Sequence, residues 1–148
     1  FAEIRGENLP TKEPAMDDEL VYKEESFAII GACLEVYNVM GPGFLESVYQ
    51  KCLEREFMLR GIPHVPQKRI GLLYKGYDIA QDCVPDFLCY DKIIVEIKAA
   101  SKLMDENRAQ LLNYLNATQF RLGWLINFGH HKTLEKERYV FTKHDSHG

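Results

Sequence analysis

Several features that define other protein classes are missing from this 148-residue sequence. No apolar run approaches the roughly 20 residues of a membrane-spanning helix, and the chain does not open on the basic-then-apolar pattern of a signal peptide. There is no internal repeat and no low-complexity tract. We therefore expect a cytoplasmic protein with no membrane partner. No two cysteines form a C-x-x-C pair, which favours reduced, mostly buried thiols at Cys33, Cys52, Cys83 and Cys89.

A long basic run is also missing, and the net charge is −4. This charge is unevenly distributed, with −5 in residues 1–25 and +1 in the remainder. A nearly neutral body with a local basic face can still contact phosphate, although strong nonspecific binding to nucleic acid is not expected.

The composition, 46% hydrophobic and 27% charged, is typical of one globular domain. Residues 1–25 are acidic, and their first part is polar and has no hydrophobic periodicity. We predict a disordered N-terminal tail over 1–25, a single domain over 26–143 and a loose C-terminal tail over 144–148.

Three segments have the apolar spacing of helices. The first is predicted from Ser26 to Met40, the second from about Phe44 to Arg60 and the third from about Asp105 to Ala117. For the first helix, the spacing predicts an inward face that consists of Phe27, Ile30, Cys33, Leu34 and Tyr37.

The remaining periodic segments favour strands. Residues 67–74 and 77–82 flank Lys75-Gly76, a plausible hairpin turn. Residues 84–98 form two further apolar runs, 120–128 suit the buried middle of a sheet, and 138–142 make a last short strand. The strand, helix, strand order around the third helix predicts a crossover connection between parallel strands.

The stretch from Val84 to Lys98 carries the most informative polar residues. Glu96 and Lys98 share one face of a strand that is otherwise apolar on both sides, where an unpaired charge is costly. Asp86 adds a carboxylate on the preceding strand. Two carboxylates and a lysine suit a divalent cation with open positions for phosphate. A structural Glu–Lys pair at the sheet rim explains the same spacing equally well.

The register of these two strands decides whether both carboxylates can reach one ion. A two-residue turn at Asp91-Lys92 would place Asp86 and Glu96 on opposite faces. A shared ion requires either a three-residue connection, Tyr90-Asp91-Lys92, or one β-bulge between Asp86 and Glu96. With Cys89 opposite Ile93, Asp86 falls opposite Glu96 at a Cβ separation of about 5 Å. We predict this second register.

Other polar residues fit two interpretations each. Glu46 borders the apolar stripe of the second helix, and Gln110 and Tyr114 form a polar stripe on the third, as many helix flanks do. The cations Lys68, Arg69, Lys75 and Lys102 either contact a phosphate backbone or only keep exposed segments charged.

Four short motifs occur in an ordered series. They are Gly43-Phe44-Leu45-Glu46-Ser47-Val48-Tyr49, Pro85-Asp86, Glu96-Ile97-Lys98 and Gln110-Leu111-Leu112-Asn113-Tyr114. Together they resemble the G-x-x-E-x-x-Y, PD, ExK and Q-x-x-x-Y motifs of the GxxExxY family, in the RecB-like branch of the PD-(D/E)xK nuclease superfamily. The resemblance runs from about Phe27 to Phe141.

The resemblance implies an α/β (α+β) restriction-endonuclease-like fold with an α-β-β-β-α-β core, in which helices flank a mixed central sheet. It also implies a phosphodiesterase site that uses Mg²⁺ or Mn²⁺. Asp86, Glu96 and the Ile97 carbonyl would ligate the cation, and Glu46 would assist through water. Lys98 would position the attacking water or stabilise the transition state. Gln110 and Tyr114 would orient Lys98 or hold phosphate.

The expected partner is nucleic acid, with DNA as the expected substrate. No cysteine follows Cys89, so no iron–sulfur cluster is predicted. A catalytically silent module that binds nucleic acid or a protein partner is the alternative, although such modules usually lose the Asp or the Lys. A homodimer remains open.

Overall fold

A computed structural model describes residues 2–6 and 21–143, which form three helices and eight strands. The helices are α1 (Lys23–Met40), α2 (Glu46–Arg60) and α3 (Asp105–Thr118). None of them combines the length and the apolar character needed to cross a bilayer. The strands are β1 (Ala2–Gly6), β2 (His64–Pro66), β3 (Ile70–Tyr74), β4 (Tyr77–Cys83), β5 (Phe87–Cys89), β6 (Ile93–Lys98), β7 (Leu122–Asn127) and β8 (Glu135–Lys143).

Six strands form the central sheet in the order β1-β8-β7-β6-β5-β2. Only β6 and β7 pair in parallel in this sheet of described strands, and α3 connects them, as the strand, helix, strand pattern predicts. The other neighbours are antiparallel. The predicted restriction-endonuclease-like architecture, a mixed sheet with flanking helices, is confirmed.

Helices cover the two faces of this sheet unequally. The core beneath α1 and α2 includes the alternate β6 residues Ile93, Val95 and Ile97. The core beneath α3 includes Ile94 from the other face of β6 and Leu88 from β5. Because side chains alternate along a strand, the remaining residues on the Ile94 face of β6 are Glu96 and Lys98. The polar residues of β6 therefore lie on the side of the sheet that α3 covers.

The inward face predicted for α1 is partly wrong. Phe27 is 84% exposed and Leu34 is 41% exposed, whereas Ile29 and Val36 are buried. The buried face lies one residue earlier in the sequence, a rotation of about 100°. A specific contact fixes it, because the indole N–H of Trp124 donates to the Ser26 hydroxyl at 3.0 Å.

The N-terminal prediction also needs correction. Instead of a tail over 1–25, Ala2–Gly6 forms the edge strand β1 beside β8, and α1 begins at Lys23. The edge of β8 offers unpaired main-chain groups, which can pair with an extended segment whatever its side chains are. Residues 7–20 of the predicted tail, and the C-terminal tail at 144–148, lie outside the described residues.

The hairpin predicted at Lys75-Gly76 is confirmed, and its two strands pair with each other as a separate two-stranded sheet. Lys75 and Gly76 have φ values of 51° and 79°, the left-handed conformations of a tight hairpin turn. The short strand β2 was missed, because three residues that include a proline carry little periodic signal.

Candidate active site

The pairing of β5 with β6 brings two carboxylates together. Cys89 lies opposite Ile93 and Phe87 lies opposite Val95, so continuation of the register places Asp86 opposite Glu96. This is the register predicted from the three-residue connection. Paired residues on one face have neighbouring Cβ atoms, which allows the two acids to converge.

The turn between the strands explains the register. Tyr90 and Asp91 both have left-handed backbone conformations, with φ values of 55° and 57°. The Lys92 N–H donates to the Cys89 carbonyl at 3.1 Å, which closes the turn. The Tyr90 N–H donates to the Pro63 carbonyl at 2.9 Å and holds the turn against the segment before β2. The connection is therefore fixed from two sides.

Asp86 and Glu96 are held by reciprocal hydrogen bonds. The Asp86 main-chain N–H donates to Glu96 Oε1 at 2.9 Å, and the Ile97 N–H donates to Asp86 Oδ2 at 2.8 Å. The main-chain pairing of β5 with β6 ends at Phe87, and beyond it these two side-chain hydrogen bonds hold the strands together. Glu96 is only 2% exposed, so its orientation is set by these contacts and by packing.

Lys98 is oriented by the third helix. Its ammonium donates to Gln110 Oε1 at 2.9 Å, and Gln110 Nε2 donates to the Tyr114 hydroxyl at 3.3 Å. The spacing of Gln110 and Tyr114 puts them on adjacent turns of α3. The polar stripe predicted on this helix therefore faces Lys98 and forms a chain of three side chains with it.

Burial and mutual repulsion disfavour the ionised forms of Asp86 and Glu96. Burial raises the pKa of Glu96 to about 9, and the nearby Asp86 carboxylate contributes to the rise. Burial likewise raises the pKa of Asp86, although the Ile97 N–H and the Lys98 charge oppose that rise. Both shifts favour a pair that shares a proton unless a further positive charge is present.

This donor chemistry fits a hard divalent cation. Mg²⁺ and Mn²⁺ prefer carboxylate oxygens, and a cation would supply the charge that the acidic pair lacks. Within residues 2–6 and 21–143, no three His, Cys, Asp or Glu side chains are grouped closely enough to form a metal cage by themselves. Asp86 and Glu96 could therefore hold a cation that keeps several positions for water or phosphate.

Glu46 lies beside this pair at the first residue of α2. Loss of surrounding water raises the pKa of its carboxyl group, and the Asp86 charge adds to the effect. Glu46 and Asp86 also line the same cavity. The structure therefore brings Glu46 into the electrostatic field of the pair, although Glu46 itself is solvent-exposed.

Tyr49, the last residue of the G-x-x-E-x-x-Y motif, fixes the loop that precedes Glu46. Its ring is fully buried and stacks on Phe128 at a centroid distance of 4.9 Å. Its hydroxyl donates to the Gly41 carbonyl at 2.5 Å and accepts the Phe44 N–H at 3.2 Å. The motif thus joins Glu46 to a buried anchor one turn further along α2.

A cavity of about 490 Å³ opens beside Asp86, between α2 and the segment after β2. Gln50 belongs to its lining and donates to the Asp86 carbonyl at 3.2 Å. The Gln67 N–H donates to the same carbonyl at 3.0 Å. Gln50 was not predicted as a site residue, although its position four residues after Glu46 places it on the same face of α2.

A second network holds the segment that follows Lys98. The Asn127 side chain is fully buried, accepts the Ala100 N–H at 2.9 Å and donates to the Ala100 carbonyl at 2.8 Å. It also donates to Glu135 Oε1 at 2.9 Å. Asn127 pairs with Lys98 across the parallel strands. A polar residue at the end of a buried parallel strand was the signal that could have identified it.

The four cations predicted to contact nucleic acid are exposed but separated. Lys68, Arg69 and Lys75 belong to the segment that leads into and around the β3–β4 hairpin, and Lys102 follows Lys98 in the loop before α3. Arg69 pairs with Asp82 at 3.7 Å. Three of these cations therefore lie in or next to the hairpin in the sequence, and the fourth lies in the loop between β6 and α3.

The site residues lie within a segment that matches a known protein family. Residues 23–139, well over half of the chain, match the family model of the PD-(D/E)XK nuclease superfamily. Comparison with curated proteins gives no significant match. The matched range contains both carboxylates, the lysine and the polar stripe of α3.

Proposed function

Because the chain belongs to the PD-(D/E)XK nuclease superfamily, we propose that it is a metal-dependent nuclease that hydrolyses phosphodiester bonds in DNA. Members of this superfamily are nucleases and generally use divalent metals such as Mg²⁺. The observation that carries the proposal is the convergence of Asp86 and Glu96, with Lys98 on the same side of the sheet.

Asp86 and Glu96 would hold Mg²⁺ or Mn²⁺, together with the Ile97 carbonyl. Glu46 would assist through water, in keeping with its exposed position and its electrostatic coupling to Asp86. When bound, such a cation neutralises charge that develops on the phosphate and makes water a better nucleophile. The reciprocal hydrogen bonds between Asp86 and the Glu96-Ile97 segment preorganise the two carboxylates for this role.

Lys98 would orient the attacking water or stabilise negative charge in the transition state. Gln110 accepts one N–H of its ammonium, and an ammonium group has three donors. The remaining donors stay available for water or a phosphate oxygen. Tyr114 would act through Gln110, because its hydroxyl accepts the Gln110 amide.

We further assign the chain to the GxxExxY family of the RecB-like branch. Two contacts support this narrower assignment. Tyr49 anchors the loop that presents Glu46, which gives the G-x-x-E-x-x-Y spacing a physical reason. The hydrogen bond from Lys98 to Gln110 likewise gives the glutamine of the Q-x-x-x-Y box a physical reason.

Incubation of the wild type and Lys98→Ala with linear, nicked, branched and single-stranded DNA tests the proposal. We expect cleavage by the wild type in Mn²⁺, none in EDTA and a loss of more than about 100-fold in the variant. Lys23→Ala, an exposed lysine at the start of α1, serves as the matched control. Cleavage that persists in EDTA, or DNA binding with no cleavage in any metal, would contradict the proposal. The second outcome is the one expected of a silent binding module.

A further inference from the structure

The β3–β4 hairpin carries apolar side chains that no described part of the chain covers. Its strands pair only with each other among the described residues, and an isolated two-stranded hairpin is marginally stable in water. Three of its large side chains are nevertheless more than half exposed: Leu73 at 66%, Tyr74 at 63% and Tyr77 at 73%. Several exposed apolar side chains on one element are typical of interaction sites.

The hairpin is joined directly to the carboxylate site. Strand β4 ends at Cys83, three residues before Asp86. At about 3.3 Å per residue, Tyr77 lies up to about 20 Å along β4 from Cys83. Strand β3 also contacts α3, the helix that carries Gln110. The hairpin is therefore an arm whose base lies at the site.

The tip of this arm presents two aromatic rings on one face. Tyr74 and Tyr77 are directly paired across the turn, so their side chains project from the same side of the ribbon. Neither ring contacts another ring among the described residues. The Lys75 ammonium lies 5.5 Å from the centroid of the Tyr74 ring. The Tyr77 ring and the face of the Tyr74 ring away from Lys75 therefore remain available for stacking, next to a cation.

The charges on the arm favour an anionic partner. Its two acids have local contacts, since Asp78 Oδ1 accepts the Ala80 N–H at 2.8 Å and Asp82 pairs with Arg69. Lys68 and Lys75 have no carboxylate partner within the described part of the chain. Two lysines of this segment thus lack a carboxylate partner among the described residues, whereas one of its two acids is paired with an arginine. Unpaired lysines favour phosphate groups as the partner.

We propose that the β3–β4 hairpin binds a single-stranded segment of the nucleic-acid substrate, with bases stacked on Tyr74 and Tyr77 and phosphates near Lys75 and Lys68. This inference rests on the proposed nuclease function. Exposed tyrosines favour unpaired bases, because the ring faces of bases inside a duplex are already stacked. A basic approach and two aromatic platforms are the usual composition of a single-strand binding surface.

Binding of fluorescently labelled oligo-dT in EDTA, followed by anisotropy, tests the arm without cleavage. We expect Tyr74→Ala/Tyr77→Ala to weaken binding by about tenfold or more, and Tyr74→Phe/Tyr77→Phe to retain binding because the rings remain. Leu59→Ala is the matched control, since it truncates a side chain that is similarly exposed, at 64%, but belongs to α2 and not to the arm. Lys75→Ala should reduce the slope of log K against log salt by about 0.7.

Three outcomes would overturn the arm proposal. The first is equal affinity of the wild type and the alanine pair for oligo-dT. The second is a larger loss of affinity for blunt duplex than for oligo-dT. The third is a dimeric wild type that the same substitutions convert to a monomer in light scattering. The last would make the arm an interface between copies of this chain.

Hydrolysis of bis(p-nitrophenyl) phosphate in Mn²⁺ separates this failure from failure of the proposed function. The small diester does not extend to the tip of the arm, so the alanine pair should hydrolyse it at the wild-type rate. A selective loss of oligo-dT binding then supports the arm. No hydrolysis of this diester or of DNA by the wild type would overturn the nuclease function instead.

Discussion

The main-chain N–H of Asp86 donates to the Glu96 carboxylate, while the Asp86 carboxylate accepts the N–H of the residue after Glu96. Each acid therefore fixes the position of the other, although they belong to different parts of the strand pair. Two carboxylates in this arrangement repel each other unless a proton or a cation lies between them. The relationship explains both the raised pKa values and the suitability of the pair for a metal ion.

Asp86→Asn should abolish metal-dependent cleavage while the fold persists. The amide oxygen can still accept the Ile97 N–H, whereas the negative charge is lost. Because even residues that only orient metal ligands contribute 10- to 100-fold, we expect the Mn²⁺ affinity to fall by more than about 100-fold in calorimetry. Asp91→Asn, an exposed acid in the adjacent turn, should bind Mn²⁺ as the wild type does. Unchanged affinity in Asp86→Asn would remove Asp86 from the ligand set.

Glu96 makes the metal-free protein less stable as the pH rises. Its pKa is raised from 4.5 to about 9 in the folded state, so above pH 4.5 the folded chain holds a proton that the unfolded chain releases. The unfolded state then binds fewer protons, and the free energy of unfolding decreases from about pH 5 to about pH 9. Full stability from this group is present only below about pH 5.

Urea unfolding in EDTA checks this dependence. Glu96→Gln cannot ionise, so at about pH 8 it should exceed the wild type by at least about 1 kcal/mol, and the difference should disappear near pH 4. Glu106→Gln, an exposed acid on α3, should follow the wild-type curve. A constant difference between Glu96→Gln and the wild type across this range would show that the pKa is not raised.

The register of the carboxylate strands could be predicted because it follows from local chemistry. A shared site requires Asp86 and Glu96 on one face, and only the three-residue connection provides that arrangement without a bulge. The alternation of Glu96 and Lys98 along β6, and the i, i+4 relation of Gln110 and Tyr114, likewise follow from strand and helix periods.

The rest of the site depends on contacts between distant segments. Asn127 and Ala100 are 27 residues apart, and Gln50 and Asp86 are 36 apart. Periodicity does not identify such partners, because it fixes the face of an element but not its neighbour. The face of α1 was misassigned for a related reason: two apolar stripes one residue apart fit the sequence, and Trp124 selects between them.

Gln110→Ala should lower turnover much more than stability. Lys98 loses the acceptor that orients its ammonium, and Gln110 is only partly buried, so the free energy of unfolding should change by less than about 1 kcal/mol. We expect kcat for cleavage in Mn²⁺ to fall at least about tenfold. Asn113→Ala, an exposed amide on the same helix, should leave both quantities unchanged. Parallel losses of activity and stability in Gln110→Ala would reduce it to a structural residue.

Tyr49→Phe should affect the Glu46 loop selectively. The ring can still stack on Phe128, but the Gly41 carbonyl and the Phe44 N–H lose their shared hydroxyl partner. We expect a loss of about 1 kcal/mol in unfolding free energy and a lower cleavage rate.

Tyr37→Phe is the matched control for this substitution. It also removes a hydroxyl that donates to a main-chain carbonyl, that of His130 at 2.6 Å, but Tyr37 lies outside the loop that leads to Glu46. The control should lose comparable stability and keep the wild-type cleavage rate. Equal cleavage rates in Tyr49→Phe and Tyr37→Phe would show that the Tyr49 hydroxyl does not contribute to activity through the Glu46 loop.

Gly129→Ala should destabilise the protein and displace the segment that follows Lys98. A Cβ atom at residue 129 would lie 2.4 Å from the Ala100 nitrogen and 2.5 Å from its carbonyl oxygen. Both atoms are main-chain atoms held by Asn127, so the segment cannot move aside without breaking buried hydrogen bonds. We expect a loss of about 2 to 4 kcal/mol in unfolding free energy, together with lower activity per folded molecule.

Denaturant unfolding, and cleavage rates at a temperature where the variant is folded, measure the two effects of Gly129→Ala. Gly71→Ala is the matched control, because its nearest neighbour would be a side-chain oxygen of Asp82 at 3.8 Å, an ordinary contact distance. It should lose less than about 1 kcal/mol, the usual range for a substitution without a steric conflict. Wild-type stability in Gly129→Ala would mean that the Ala100 segment can shift freely. Lys98, two residues before Ala100, would then owe its position to Gln110 alone.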